Sequence, residues 1–314
     1  MQLDAPRLLL ACALLLAPAA TAEEPSAASG RSEVIYGRKD GTALTMDVFR
    51  PTEAKPNGLG LVYVVSGGWF SGHAAISTPF IEPFTARGYT VFAVVHGSQP
   101  KYAIPDILKD LHRAVRYIRT NAKDYAIDPE RIGIYGGSAG GHLSLMQGTA
   151  GDAGDPKAAD PVDRASSRVR AVACFFPPTD FLNYGKEGED AIGRGVLANF
   201  APAFAFQTFD PGKKTFVPVT DPALVLDLGK TISPINHVSK DDPPSLIVHG
   251  DADTLVPIQQ AERIVAKLGE AGVEAKLVRK PGAPHGWPNI VKDLTLFADW
   301  FDAHLPSTAD RRKP

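Results

Sequence analysis

Apolar runs bounded by Gly, Pro and Asp alternate along the chain with longer segments whose apolar residues recur at helical spacing. Gly60–Val65 and Tyr89–Val95 are almost wholly apolar, as strands covered on both faces are, and they are expected at the centre of a sheet. Ser32–Tyr36 and Thr42–Phe49 instead alternate apolar and polar residues about a Lys39-Asp40-Gly41 turn, which predicts an antiparallel hairpin at the edge. Ile104, Ile107, Leu108, Leu111, Val115 and Ile118 share one face of a helix expected over 104–126 and opened by Pro105. Further strands are expected at Ile132–Tyr135, at Val169–Phe176 before Pro177-Pro178, at Ser245–His249 and at Val273–Val278, with helices at Ile258–Leu268 and Val291–Leu305. Strand and helix in turn imply βα units, hence an α/β fold with a mostly parallel central sheet and helices on both faces. Between Asp180 and Asp242 the pattern breaks into Gly, Pro, Phe and short apolar pieces. That is long for a plain connection, so a partly helical, cap-like insertion is expected over 180–242.

Composition narrows this picture only in places. The chain has 314 residues, a length that fits one large domain, expected over 32–306 because no linker-like stretch divides it. Arg7 is followed by an apolar run to Pro18, and Ala20-Thr21-Ala22 supplies small residues before Glu23, the layout of a cleaved secretory signal over 1–22. A flexible leader over 23–31 and a solvated tail over 307–314 complete the expected organisation, and the protein is expected to be exported. Lipoprotein anchoring at Cys12 is disfavoured because a long apolar run follows that residue. No stretch approaches the roughly 20 apolar residues that a transmembrane helix needs. Without Cys12, Cys174 is the sole cysteine, so no internal disulfide is expected and Cys174 reads as a small buried hydrophobe. With 33 basic and 35 acidic residues, the near-neutral balance gives no electrostatic footprint for nucleic acid. The sequence leaves the oligomeric state open.

The chemistry centres on Arg131-Ile-Gly-Ile-Tyr-Gly-Gly-Ser-Ala-Gly-Gly-His142, where Ser138 lies in a Gly-x-Ser-x-Gly setting between a strand-like and a helix-like run. A serine hydroxyl is a weak nucleophile, and a sharp strand-to-helix turn both exposes it and frees the next backbone N–H to hold an oxyanion. Such a turn crowds its neighbours, and Gly136, Gly140 and Gly141 occupy those positions. An ordinary helix N-cap serine needs no such glycines. The serine also needs a base and an acid to orient it. The Ser245–Pro257 segment ends as a loop carrying Asp251 and Asp253, and Lys280–Pro288 places His285 on a Gly/Pro-rich loop after another strand. All would lie at one end of a parallel sheet, where such sites form. Rival groups are less well placed. His142 follows Ser138 by one helical turn and should point into the fold, His249 ends a buried strand, His112 lies on a helix, and His73 and His96 precede the serine. Asp180 is a remote third carboxylate. Trp69, Phe70 and Trp287 are candidates to wall a substrate pocket. No His/Cys/Asp cluster has metal-ligand spacing and no Gly-rich loop fits a phosphate, so neither metal nor cofactor is expected.

In these motifs the chain resembles the α/β-hydrolase superfamily, and within it the esterase branch related to hormone-sensitive lipases and bacterial feruloyl and acetyl esterases. The likeness rests on Ser66-Gly-Gly-Trp69, Gly136-Gly-Ser-Ala-Gly-Gly141, His249-Gly-x-x-Asp253 with Val256-Pro257 behind it, and His285-Gly286, in order over residues 40 to 305. The resemblance implies Ser138 as nucleophile, His285 as base and Asp253 as orienting acid, since the family's aspartate stands four before that proline. Asp251 would then bond locally. The family's oxyanion loop reads His-Gly-Gly-Gly-Trp. Here Val65 and Ser66 replace its first two residues, and the donors carried over are the N–H groups of Gly67, Gly68 and Ala139. The implied activity is that of an exported serine carboxylic-ester hydrolase, working through an acyl-enzyme on a small-molecule or polysaccharide-linked ester. The alternatives are a prolyl-oligopeptidase-like serine peptidase, whose loop pattern is shared, and a non-catalytic binding protein on a hydrolase scaffold.

Overall fold

The computed structural model describes residues 30–305. The expected signal peptide with Cys12, most of the leader and the tail with Arg311-Arg312-Lys313 lie outside the described residues. In chain order the elements are β1 (Arg31–Lys39), β2 (Thr42–Phe49), β3 (Gly60–Val65), α1 (Glu82–Thr85), β4 (Thr90–Val95), α2 (Ile104–Thr120), β5 (Ile132–Gly137), α3 (Ala139–Ala150) and β6 (Ala171–Phe175). There follow β7 (Gln207–Asp210), β8 (Thr215–Pro218), α4 (Pro222–Thr231), β9 (Ser245–Gly250), α5 (Gln259–Glu270), β10 (Ala275–Lys280) and α6 (Leu294–His304). Eight strands form one sheet in the order β1-β2-β4-β3-β5-β6-β9-β10. Only β1–β2 and β2–β4 pair antiparallel; the rest of the sheet is parallel.

The period-2 geometry of a strand explains why the central runs are continuously apolar. Val62, Val64, Ile132, Ile134, Val172 and Cys174 point to one core, which α2, α3 and α5 cover with Ile107, Leu111, Leu143, Ile264 and Leu268. Their strand neighbours Leu61, Tyr63, Tyr135, Ala173 and Phe175 point to the other, covered by Phe84 of α1 and Phe297 and Phe301 of α6. Cys174 is buried with a free thiol, and burial raises its pKa far above the ordinary value. The expected helix over 104–126 ends at Thr120, where Asn121 and the turns behind it take over. The last helix begins at Leu294, after a 3-10 turn at Ile290–Asp293.

The insertion is partly helical, as its pattern suggested, and it also holds a two-stranded hairpin. A 3-10 segment at Gly195–Phe204 leads into β7 and β8, which pair only with each other, and α4 follows. Its two ends meet where Ile235 N–H donates to Thr179 O at 3.2 Å. The entry is pinned to α5: Gln260 Oε1 accepts from Thr179 N–H at 2.8 Å and Asp180 N–H at 2.7 Å, and Arg263 Nη2 pairs with Asp180 at 2.9 Å. Asp180 is thus an anchor of the insertion.

Candidate active site

The strand order sets the site. Parallel β5, β9 and β10 all end at the same edge of the sheet, and the three groups singled out from sequence follow directly from them. Ser138 joins β5 to α3 with φ 54° and ψ −121°, a left-handed conformation costly for any residue with a Cβ. The surrounding glycines permit the bend. A Cβ on Gly136 would lie 2.6 Å from Gly140 backbone, one on Gly140 2.7 Å from Val64 O, and one on Gly141 2.8 Å from Phe175 O.

Ser138 Oγ lies 2.9 Å from His285 Nε2, and His285 Nδ1 lies 2.7 Å from Asp253 Oδ2. With the Nδ1–H donating to the carboxylate, Nε2 is left to accept the serine proton. Asp253 is held in turn by the N–H groups of Leu255 at 2.9 Å and Val256 at 2.8 Å, both donating to Oδ1. Burial pushes its carboxyl upward. Hydrogen bonds from His249, His285 and Val256, with the charge of His285, outweigh burial and hold it well below the usual carboxylate range. Asp251 does not bond within its own loop. Its Oδ1 accepts from Gly282 N–H at 2.6 Å, tying the acid loop to the loop that carries His285.

Sequence reasoning weighed His249 only as a rival base and gave Phe176 no role. His249 is fully buried, and its Nε2–H donates to Val256 O at 2.8 Å while lying 3.4 Å from Asp253 Oδ2. It therefore braces Asp253 and lies away from Ser138 in the hydrogen-bond chain. Its spacing of four before Asp253 was the available signal. Phe176, at φ 34°, directly follows β6, which lies between β5 and β9, and sets its ring centroid 4.4 Å from that of His285. Pro177-Pro178 marked the strand end without revealing that contact.

The proposed oxyanion donors do not fare alike. Gly67 N–H donates to Phe70 O at 3.0 Å, and Phe70 N–H returns a bond to Gly67 O at 2.9 Å. The Gly67 amide is therefore committed within its own turn, a correction to the donor set. Gly68 and Ala139 N–H have no acceptor among the described residues, and Ala139 stands at the first position of α3 with its N–H outside the helical ladder. The loop beyond is fixed by Ser71 Oγ, which donates to Val65 O, and by Ser98 Oγ, which accepts from Ser71 N–H at 2.7 Å. Of the candidate pocket walls, Phe70 is 56% exposed. Trp287 is half-buried, packs against Phe175 and Phe176, and donates its N–H to Asp293 at 2.7 Å. Trp69 is only 2% exposed and donates its indole N–H to His142 Nδ1 at 3.1 Å. It is a strut beneath the loop, and its burial leaves it little surface to offer a substrate, unlike the pocket wall expected from sequence.

Among the described residues, Glu33, Asp47 and His73 bring potential metal ligands together. Arg31 already holds Asp47 Oδ2, and Thr45 Oγ1 lies 2.7 Å from His73 Nε2, so Asp47 and His73 already have partners in the protein. A groove of about 870 Å³ between the β1–β2 hairpin and α2 shares no residue with the serine site. Its Arg113 is paired with Asp160 at 2.6 Å and Asp163 at 2.9 Å. No helix among the described residues is long and apolar enough to cross a membrane.

The BD-FAE family model matches residues 46–268, well over half of the chain. The chain belongs to the BD-FAE family. Its α/β-hydrolase fold is shared with solved esterases: a truncated carbohydrate esterase from gut microbiota superposes with a TM-score of 0.70 at 28% identity, over 90% of this chain and 99% of that one. An acetyl ester-xyloside bifunctional hydrolase from Caldicellulosiruptor lactoaceticus gives a TM-score of 0.67 at 26% identity, over 87% and 96% of the two chains. A probable carboxylic ester hydrolase of Mycobacterium tuberculosis, LipM, is 28% identical over 75% of this chain. The chain spans only 51% to 60% of the lengths of LipM and two further mycobacterial esterases that it matches.

Proposed function

We propose that the protein is a serine carboxylic-ester hydrolase whose substrates are short acyl esters, with carbohydrate-linked acetate the preferred class. The observation that carries this reading is the unbroken chain of hydrogen bonds from Ser138 Oγ through His285 to Asp253, at 2.9 and 2.7 Å. His285 Nε2 takes the serine proton as Oγ attacks the ester carbonyl, and Asp253 stabilises the imidazolium that forms. The tetrahedral oxyanion is met by the N–H groups of Gly68 and Ala139, each worth about 3 kcal/mol of barrier at such sites. The imidazolium returns its proton to the leaving alcohol, and water assisted by His285 then releases the acid from the acyl-serine. Membership of the BD-FAE family and the names of the superposed carbohydrate esterase and acetyl ester-xyloside hydrolase support the substrate class.

Hydrolysis of p-nitrophenyl acetate and of acetylated xylo-oligosaccharide, with Ser138→Ala beside the wild type, tests the proposal. The variant should lose roughly a million-fold in kcat, and a fluorophosphonate should label only the wild type. Equal turnover by the two proteins, or folded wild type that takes no label, would leave a binding protein on this scaffold as the better reading.

A further inference from the structure

Trp69 poses a conformational problem. It sits at φ 60° beside Gly68 at φ 54°, and the reciprocal bonds between Gly67 and Phe70 close these two residues into a tight turn. Two successive positive φ values belong to the turn type that favours Gly and Asn, where a bulky aromatic residue is out of place. Something outside the turn must hold it. The buried indole N–H finds its acceptor in His142 Nδ1, at 3.1 Å, and the ring packs edge-on against His142, Phe200 and Phe204 with centroids 5.7, 6.0 and 5.1 Å away.

His142 is itself fixed from the other side. Its Nε2 lies 2.7 Å from Ile232 O, at the C-terminal end of α4 in the insertion. A carbonyl can only accept, so Nε2 carries the proton and Nδ1 is free to accept from the indole. His142 stands in the first turn of α3, four residues after Ser138, and its own N–H donates to Ser138 O at 2.9 Å. One imidazole therefore connects the nucleophile helix, the oxyanion loop and the insertion. Burial keeps it in the required state by pushing its pKa down to about 4.

We propose that His142 is a positioning residue for the oxyanion hole, its tautomer set by the Ile232 carbonyl of the insertion so that it anchors the Trp69 indole and aims the adjoining Gly68 N–H. The inference rests on the esterase reading above and deepens it: the insertion takes part in transition-state stabilisation through a hydrogen-bond relay without touching the substrate.

The test compares wild type with Trp69→Phe, which keeps the aromatic packing and removes the donor, with His142→Leu, which removes the acceptor, and with the double variant. His142→Gln, whose amide can both accept and donate, is the rescue. Steady-state kcat and KM on p-nitrophenyl acetate are measured beside the inhibition constant of a trifluoromethyl ketone, which forms the same oxyanion. Trp69→Phe and His142→Leu should each lower kcat about tenfold with KM within about twofold, and weaken the ketone by the same factor. The double variant should be no worse than the poorer single, and His142→Gln should recover most of the loss. Unchanged kcat and ketone affinity in Trp69→Phe would overturn the proposal, as would a loss confined to KM or to melting temperature. If His142→Leu does not fold, Trp69→Phe decides alone. Wild type that neither turns over nor takes the fluorophosphonate would instead remove the esterase reading itself, an outcome distinct from an active enzyme indifferent to the indole donor.

Discussion

At the scale of single residues, the site is a set of groups placed in states they would not choose alone. Ser138 is left-handed, Asp253 is a buried carboxylate, and His249 is a buried imidazole whose Nδ1 has no partner among the described residues. Each is tolerated because its neighbours leave no alternative. His249 Nε2 approaches the Asp253 Oδ2 that His285 bonds, at 3.4 Å against 2.7 Å, so its loss should weaken the hold on Asp253 without breaking the chain to the serine. Asp253→Asn is expected to cost roughly 10⁴-fold in kcat, because the imidazole then takes the wrong tautomer. His249→Asn should cost about tenfold, the worth of one supporting hydrogen bond. Steady-state kinetics on one ester checks the ranking, and a His249 variant as impaired as Asp253→Asn would show that His249 does more than support. Of these residues, Ser138 could be read from sequence because its glycines surround it locally. The link from Trp69 to His142 spans 73 positions, and no local pattern signals it.

At the scale of elements, the decisive contact is the crossing of α3 over the ends of β3 and β5. The helix starts so close to the sheet that a Cβ on Gly140 would meet the backbone oxygens of Val64 at 2.7 Å and Ser66 at 3.4 Å, and this close approach brings the chain that leads into the Gly67–Phe70 turn beside the start of α3. Gly140→Ala would place a methyl group 2.7 Å from Val64 O, a clash with backbone that no rotamer can relieve. Overpacking of this kind typically costs about 1–3 kcal/mol. Urea denaturation should show a lower midpoint, with kcat falling as well because α3 must move away from the loop; wild-type stability and turnover together would contradict the crossing. Strands and amphipathic helices were legible because covered strands read as apolar runs and α2 as a periodic face. Less so was the insertion. Its β7–β8 hairpin is mostly exposed, with Phe209 and Phe216 packed on each other at 5.5 Å, so no sheet-facing alternation announced it.

At the scale of the whole molecule, buried histidines make stability depend on pH. Burial pushes His96 and His142 each down to about 4, whereas in an unfolded chain both titrate near 6.5. Between those values the unfolded chain binds protons that the folded protein refuses, so stability rises with pH. Their contribution is complete above about pH 6.5 and is lost as pH falls toward 4, by at most about 3 kcal/mol per histidine. The lowered carboxyl of Asp253 acts in a more acid window: its contribution is present above about pH 3.9 and disappears below. Urea midpoints taken from pH 7.5 to pH 4 should fall mainly between 6.5 and 4, and less steeply in His142→Gln. A flat profile would mean that these imidazoles are not held neutral. Sequence by itself determined the alternation of strand and helix, the glycine-lined bend at Ser138 and the order in which Ser138, Asp253 and His285 follow their strands, because these depend on periodicity and on backbone space within a few residues. Only the tertiary structure decided that Gly67 spends its amide on Phe70, that Asp251 ties two loops together, and that Trp69 leans on His142. Which donor meets which acceptor is set by segments brought together from distant parts of the chain, and a buried polar group takes whatever partner the finished packing leaves within reach.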